Sequence, residues 1–196
     1  MKKIPKDFYQ RKDVVLIARE LLGKELCTFV NGTITSGIIT ETEAYAGIKD
    51  RASHAYNNRF TSRTSVMYEA GGIAYVYLCY GIHKLFNIVT SIIGVPDAVL
   101  IRAIWPKRGL DEMLVRRKQT NNSPEVWNGP GKVTQALGIS LIHNGLSLES
   151  DEVWLEDAGI RLTEKDIEVN SRIGVEYAGE DARLPYRFTI NPERIL

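Results

Sequence analysis

The sequence predicts an α+β protein with a curved, mostly antiparallel β-sheet and flanking helices. Apolar segments with strand-like alternation follow one another through short turns. Helical segments lie between them without the regular strand–helix–strand order of a parallel sheet. Nothing in the 196 residues has the composition of a linker, and a chain of this length can bury a sufficient core. We therefore expect residues 1–196 to form a single domain.

The first predicted elements are a helix and a hairpin. Asp13 precedes VVLIARELLGK, an amphipathic pattern for which an aspartate is a good N-cap. Two alternating segments, 26–30 and 33–45, then flank Asn31-Gly32, a dipeptide that suits a tight hairpin turn because both positions need positive φ. The polar stretch 47–70 is irregular, and a connection of this length is usually functional or mobile.

The second half of the chain is rich in strand patterns. Three strands are predicted at 73–80, 84–93 and 98–105. A helix is predicted over 109–118, and a loop over 121–132 leads into a short helix that starts at Val133. The C-terminal part shows four short alternating segments separated by turns, which predicts strands at VWLED (153–157), IRLT (160–163), SRIGVEY (171–177) and RFTIN (187–191).

Composition excludes several classes of protein. With 25 basic and 24 acidic residues the net charge is +1, which still permits a nucleic-acid surface if the charge is one-sided. The basic run at 107–118 is typical of a solvated face. Cys27 and Cys79 lie in unrelated contexts, which predicts reduced thiols. No apolar run approaches the ~20 residues that cross a bilayer, and no signal peptide is visible, so we expect a cytoplasmic protein without membrane contact.

Glu41, Glu43 and Tyr45 are the first candidate functional residues. Side chains alternate along a strand, so these three should share one face of the segment 33–45. Two carboxylates and a phenol on one face are typical of a solvated surface. They are equally the components of a site in which a carboxylate acts as a general base beside an aromatic wall. The segment alone leaves both interpretations open.

A tyrosine-rich strand offers a second group of candidates. Tyr75 and Tyr77 share one face of the segment 73–80, either as ordinary strand packing or as a platform on which flat π-systems such as nucleobases stack. Tyr80 stands at the junction of strand and turn, where a side chain tends to project outward.

Four polar residues complete the candidates. His54 lies in a polar loop and is by default exposed. Asn87 and Arg102 lie inside apolar strands, so if buried they need partners, in a polar pocket or in structural hydrogen bonds. NGPGK (128–132) lacks the spacing of a nucleotide phosphate loop. It precedes a helix, however, so Lys132 beside free amides can hold one backbone phosphate, unless this is simply a loop that starts a helix.

Five ordered blocks together resemble the alkyladenine (3-methyladenine) DNA glycosylase family. These blocks are ETEAYAG, the histidine at position 54, YVYLCYG with Asn87 after it, LIRA and NGPGK, and they lie between residues 38 and 138. The resemblance implies a monofunctional enzyme that flips alkylated or deaminated purines out of duplex DNA. It then hydrolyses the N-glycosidic bond with an activated water, which starts base excision repair.

The resemblance also implies a role for each candidate. Glu43 is the general base for water, and Tyr80 is the side chain that wedges into the duplex. Asn87 limits which purine can enter the pocket. The pocket around the extruded base is formed with Tyr45, His54 and Tyr77. Contacts to the DNA backbone are expected from Arg102 and Lys132, within a basic surface that includes Arg59, Arg63 and Lys84.

Two other functions stay open on the residues alone. A non-catalytic nucleic-acid-binding module would use the tyrosine-rich face and would not need Glu43. A hydrolase of small nucleosides or carbohydrates would use Glu41 and Glu43 as an acid–base pair. The three histidines are scattered, so we expect no metal site, and the resemblance implies no cofactor. The expected partner is double-stranded DNA that contains damaged purines, bound by a monomer.

Overall fold

The computed structural model describes residues 2–194. Met1 and residues 195–196, the ends of the predicted 1–196 domain, lie outside the described residues. The α-helices are α1 (Lys6–Tyr9), α2 (Val14–Glu20), α3 (Leu110–Arg117) and α4 (Pro130–Leu137). The strands are β1 (Glu25–Val30), β2 (Thr33–Tyr45), β3 (Ile73–Cys79), β4 (His83–Thr90), β5 (Asp97–Arg108), β6 (Val153–Glu156), β7 (Ile167–Asn170) and β8 (Arg187–Ile190). Short 3-10 helices occupy many of the connections.

The strands form one antiparallel sheet in the order β3-β4-β5-β2-β1-β6, and β8 adds β7 to it by pairing with β2. The register of β2 against β5 shifts at Ser36/Gly37 and on both sides of Glu41. Because bulges bend a strand and increase its twist, β2 curves where the two carboxylates lie. The predicted α+β fold with a curved, mostly antiparallel sheet is confirmed.

Local sequence signals account for the first elements. The Asp13 side chain accepts a hydrogen bond of 2.9 Å from the Leu16 N–H at the start of α2, as expected of an N-cap. Asn31 and Gly32 have φ of 53° and 77°, so the dipeptide forms the hairpin turn that joins β1 and β2.

Apolar clusters of different size hold the sheet in place. The main core packs side chains of α2 and α4 against the sheet and includes Ile17, Phe86 and Trp127. A smaller cluster of Ala55, Met67 and Tyr75, among others, fixes part of the irregular stretch 47–70 against β3 and β4. Because this stretch is packed, His54 has a fixed position beside the tyrosines of β3.

Several predicted elements of the C-terminal part are wrong. Residues 160–163 are not a strand, because Ile160 and Leu162 pack on Gly23 after α2 instead of pairing with another strand. Residues 171–177 are not a strand either, because the Arg172 side chain is buried against Asp50 and holds the backbone away from the sheet. The prediction missed β7, which lies between these segments.

Other boundaries also differ from the prediction. The helix α4 begins at Pro130, inside the predicted loop 121–132, because proline suits the first helical position. The strand β4 ends at Thr90, since Ser91 has a φ of 72°. The basic run is not simply a solvated face: Arg108 pairs with the fully buried Glu25 at 2.7 Å, and Arg116 is mostly buried against Glu112. Cys27 and Cys79 are free thiols, as predicted.

Candidate active site

A cavity of about 410 Å³ opens where β2, β3, β4 and β5 meet the segments 52–67 and 173–177. Most of the residues that the sequence analysis selected line it, although they come from separate parts of the chain. They are Tyr45, His54, Tyr77, Tyr80, Asn87 and Arg102. Glu43 lies behind the wall and contacts three lining residues, as described below. Lys132 lies outside the cavity.

Aromatic rings form one wall of this cavity. The rings of Tyr75 and Tyr77, next to each other on one face of β3, have centroids 5.3 Å apart. The His54 ring meets the Tyr77 ring edge-on at 4.7 Å, and its Nδ1 lies 3.0 Å from the Tyr75 hydroxyl. Burial, with the charges of Arg63 and Arg59, lowers the pKa of His54 to about 4, so the imidazole is neutral near pH 7. His54 is therefore a partly buried wall residue and not the exposed loop residue of the default interpretation.

A guanidinium lies on the same wall. Arg63 stands over the Tyr77 ring at 4.7 Å from its centroid, and its Nη2 is 3.4 Å from His54 Nε2. The side chain also lines the cavity. A flat ligand that stacks on this face of Tyr77 must therefore displace the guanidinium. Arg63 is exposed, so its side chain can move into solvent.

Glu43 has no solvent exposure. Its carboxylate accepts hydrogen bonds of 2.8 Å from the Tyr45 hydroxyl and 2.8 Å from the Ile173 N–H, and Arg102 Nη1 lies 3.4 Å away. Burial raises the pKa of Glu43 above its usual range, and Arg102 and the two hydrogen-bond donors counteract part of that effect. The carboxylate is thus not part of a solvated face. It is a buried carboxylate next to an aromatic wall and therefore a candidate for a general base.

Glu41 is also buried, but its environment is different. Arg102 Nε and Arg187 Nη1 both lie 3.1 Å from its Oε1. Arg102 therefore bridges the two carboxylates of β2. With the Tyr45 hydroxyl bound to Glu43, this confirms that Glu41, Glu43 and Tyr45 share one side of the strand. Held between two guanidinium groups, Glu41 fixes Arg102 and is not arranged as the proton-sharing partner of Glu43.

Asn87 lines the cavity from β4. It is buried on β4, opposite Tyr75 on one neighbouring strand and Leu100 on the other. Its Nδ2 donates a hydrogen bond of 3.2 Å to the Tyr75 carbonyl, which satisfies the requirement for a partner and orients the amide. The residue therefore presents an amide of fixed orientation to the cavity.

Tyr80 occupies the tip of the β3–β4 hairpin. Its side chain is 91% exposed, although it lines the mouth of the cavity. Its φ is 49°, followed by 71° at Gly81, and the Ile82 N–H closes the turn on the Cys79 carbonyl at 3.1 Å. A positive φ is uncommon for a bulky residue, and outliers of this kind cluster at functional sites. The positive φ ends the alternation of β3, so Tyr80 is not a core residue.

Lys132 belongs to a neighbouring hollow of about 310 Å³, which is also lined by Tyr80 and His83. Its ammonium donates a hydrogen bond of 2.7 Å to the Glu125 carbonyl. The structure thus places Lys132 beside the exposed Tyr80 but not in the tyrosine-lined cavity.

Glu43 is enclosed from the C-terminal side by residues that the sequence patterns did not predict. Arg172 and Asp50 form a fully buried ion pair, and Ile173 supplies the N–H that the carboxylate accepts. No spacing in the sequence connects these positions. The sequence offered one weak indication: an arginine interrupts the alternating apolar segment SRIGVEY, at a position where a buried charge would need a partner.

A group of possible metal ligands lies outside the cavity. Among residues 2–194, Glu25, Cys27 and Glu156 place ligand atoms close together, but Arg108 donates hydrogen bonds to all three and supplies the positive charge there. No helix in this part of the chain is long and apolar enough to cross a membrane.

Comparisons with known proteins identify the family of this chain. The sequence model described as "Methylpurine-DNA glycosylase (MPG)" matches residues 7–194. A protein from Chlamydia felis (strain Fe/C-56) named "Putative 3-methyladenine DNA glycosylase" is 48% identical over 190 residues, which cover 96% of each chain. A protein of the same name from Chlamydia pneumoniae is 46% identical, with 95% and 94% covered. One from Bacillus cereus (strain AH820) is 42% identical, with 94% and 93% covered.

A match of this extent decides among the three functions that the residues alone left open. The proteins that it matches are named as enzymes that act on N-glycosyl bonds in DNA, which favours the first of the three functions. The chain belongs to the methylpurine-DNA glycosylase family and is a DNA glycosylase of the 3-methyladenine type.

Proposed function

We propose that this DNA glycosylase is monofunctional and removes damaged purines with a water molecule that Glu43 activates. The N-glycosidic bond is inaccessible inside a stacked duplex, so the nucleotide must rotate out at a cost of a few kcal/mol. Tyr80 fills the vacated space. Its exposure and its position at the cavity mouth support this role.

The extruded base enters the tyrosine-lined cavity. Tyr45, Tyr77 and His54 supply stacking surfaces, and a positively charged methylpurine gains cation–π attraction from the tyrosine rings. A neutral His54 avoids repulsion of such a base. The buried amide of Asn87 limits which purine fits. Arg102 and Lys132 contact the DNA backbone, Lys132 from the hollow beside Tyr80.

Hydrolysis then proceeds through Glu43. The carboxylate accepts a proton from water as the oxygen attacks C1′, and its charge stabilises the oxocarbenium-like transition state. For a positively charged methylpurine the C1′–N bond breaks, and its electron pair leaves with the base and neutralises the positive charge, so this base needs no proton in order to leave. The products are an abasic site and a free base. No amine forms a Schiff base in this scheme, and no metal or cofactor takes part.

The observation that carries the proposal is the fully buried Glu43 carboxylate between Tyr45, Arg102 and the Ile173 N–H, next to the aromatic cavity. Substitution Glu43→Gln is nearly isosteric but removes the base, so single-turnover base release should fall at least ~100-fold. Binding to damaged duplex should persist. Borohydride added during turnover of the unmodified enzyme should trap no protein–DNA adduct. A trapped adduct or a fully active Glu43→Gln enzyme would overturn the mechanism.

We further propose that the enzyme acts as a monomer on chromosomal DNA in the cytoplasm, and that residues 1–196 form one catalytic domain. Size-exclusion chromatography with light scattering, alone and with a damaged duplex, tests the stoichiometry.

A further inference from the structure

We infer that Arg172 is a positioning residue for hydrolysis: its buried guanidinium holds the Tyr45 ring and the Ile173 N–H against the Glu43 carboxylate. The inference deepens the proposed function, because it assumes that Glu43 is the base. It assigns a role to a side chain that lies outside the cavity lining and does not touch the reacting atoms.

The contacts of Arg172 join parts of the chain that are far apart in sequence. Its side chain is fully buried and forms a two-point ion pair with Asp50, in which Nη2 lies 2.8 Å from Oδ1 and Nη1 also binds Oδ2. Nη1 donates 2.8 Å to the Ala44 carbonyl, and Nη2 donates 3.0 Å to the Asp181 carbonyl. One guanidinium thus fixes β2, the loop that follows β2 and the segment near residue 181 relative to one another.

The same guanidinium lies against two aromatic rings. Its central carbon is 4.8 Å from the centroid of Tyr45 and 5.3 Å from that of Tyr186. Tyr45 is the ring whose hydroxyl donates to Glu43. Because Ala44 and Tyr45 flank one peptide bond, the contacts to the Ala44 carbonyl and to the Tyr45 ring together fix the orientation of the phenol.

The residue after Arg172 completes the arrangement. Ile173 donates its backbone N–H to Glu43 Oε1 at 2.8 Å, and the residue lines the cavity. This segment has no strand partner, since residues 171–175 lie between β7 and the next 3-10 helix. The position of the N–H therefore depends on the anchoring of Arg172 and not on a sheet ladder.

Stability alone is a weak reason for this ion pair. A buried pair loses the hydration of both ions, and a well-packed apolar replacement is often as stable. Here the Arg172 Nε is buried without a partner among the described residues, so the guanidinium is not fully satisfied. What the pair provides is a geometry that apolar packing does not specify, namely two donors aimed at one carboxylate.

The electrostatic consequence is a test that separates positioning from folding. Glu43 is faced by Glu41 and Tyr45 from β2, Arg102 from β5, Arg187 from β8 through Glu41, and the Arg172–Asp50 pair. The hydrogen bonds from the Ile173 N–H and the Tyr45 hydroxyl lower the pKa of Glu43. Loss of Arg172 weakens both hydrogen bonds, so the pKa of Glu43 should rise. The acid limb of the pH–rate profile should then move to higher pH.

The experiment measures single-turnover base release against pH on a duplex that contains a methylpurine with a fixed positive charge, so that the substrate does not titrate. Arg172→Gln should raise the midpoint of the acid limb by roughly one pH unit. The rate should fall about tenfold below the midpoint and approach that of the unmodified enzyme above it. Arg172→Lys keeps the charge but not the two-point geometry, and should show a smaller shift in the same direction.

Arg108→Gln is the matched control, because Arg108 also pairs with a buried carboxylate, Glu25, outside the cavity. It should lower the unfolding midpoint without moving the acid limb. The inference is wrong if Arg172→Gln lowers the rate of base release by the same factor at every pH, or if the midpoint of the acid limb does not move. If Arg172→Gln does not fold, the Arg172→Lys profile decides by the same criteria. An active Glu43→Gln enzyme would instead contradict the proposed function, so the two failures are distinguishable.

Discussion

The Tyr45 hydroxyl donates a hydrogen bond of 2.8 Å to the carboxylate of Glu43, two positions earlier on the same face of β2. Tyr45 therefore has two parts in the site: its ring lines the cavity, and its hydroxyl stabilises the charged form of the buried carboxylate. The two parts can be separated by substitution.

Tyr45→Phe should raise the pKa of Glu43, because it removes a donor to the carboxylate and keeps the ring. Base release should fall at low pH and recover as the pH rises, with a displaced acid limb. Tyr45→Ala also removes the stacking surface and should reduce release at every pH. The measurement is single-turnover release against pH. Equal behaviour of the two variants would show that the hydroxyl has no separate effect.

Glu41→Gln should affect stability more than chemistry. The side chain is held between Arg102 and Arg187, so removing its charge weakens two buried contacts and should cost about 1–3 kcal/mol of unfolding free energy. Base release should fall less than ~10-fold, against at least ~100-fold for Glu43→Gln. Urea unfolding and single-turnover release measure both. Equal loss from the two substitutions would instead support an acid–base pair of carboxylates.

Tyr80→Ser should leave the unfolding free energy within about 0.5 kcal/mol, because the side chain is exposed. Tyr80→Asn should be at least as stable, since asparagine adopts positive φ more readily. Both should weaken extrusion of the damaged base from a duplex, measured by fluorescence of a base analogue, and affect release from single-stranded DNA less. As a contrast, Tyr75→Ser removes a buried ring and should cost several kcal/mol. A comparable loss of unfolding free energy in Tyr80→Ser would refute the role of Tyr80 as the wedge.

Arg63→Ala should have opposite effects on two ligands. A free methylpurine base no longer displaces the guanidinium from the Tyr77 ring, so it should bind up to ~10-fold more tightly. Affinity for duplex DNA should fall, and the slope of log K against log salt should flatten by roughly 0.9 if Arg63 neutralises a phosphate. Fluorescence titration tests both. Arg59 is not among the residues that line the cavity, so Arg59→Ala should leave free-base binding unchanged. Unchanged free-base binding in Arg63→Ala would contradict the displacement.

Asp97 and His54 should affect the pH dependence of stability in opposite directions. Burial, with the charge of Asp50, raises the pKa of Asp97 to about 6, so its stabilising contribution is complete below pH 3.8 and is lost as the pH rises through 6. The lowered pKa of His54, about 4, gives a contribution that is present above pH 6.5 and is lost as the pH falls through 4.

Asp97→Asn removes the first contribution. The variant should be more stable than the unmodified protein at pH 7, by up to about 3 kcal/mol, and the advantage should vanish near pH 4. His54→Asn should remove the opposite dependence. Urea unfolding between pH 4 and 7 measures the differences. A constant difference between Asp97→Asn and the unmodified protein at every pH would show that Asp97 does not titrate in this range.

Local sequence patterns predicted the parts of the fold that depend on neighbouring residues. The Asp13 cap and the Asn31-Gly32 turn follow from hydrogen bonds and φ angles within a few positions. The common side of Glu41, Glu43 and Tyr45 follows from strand alternation, which holds even through the bulge at Glu41. The strand at 171–177 was wrongly predicted because alternation alone does not reveal that Arg172 is buried against Asp50.

The sequence by itself determined which chemical groups this protein has and, through strand alternation, which of them share a face. Only the tertiary structure decided that Glu43 is buried and not solvated, because the segment at residue 173 and the arginine of β5 that enclose it are distant in sequence. Likewise, the positive φ of Tyr80 arises in the closed hairpin. Burial and the donors around a carboxylate set its pKa, and both depend on contacts between remote segments, which no local pattern encodes.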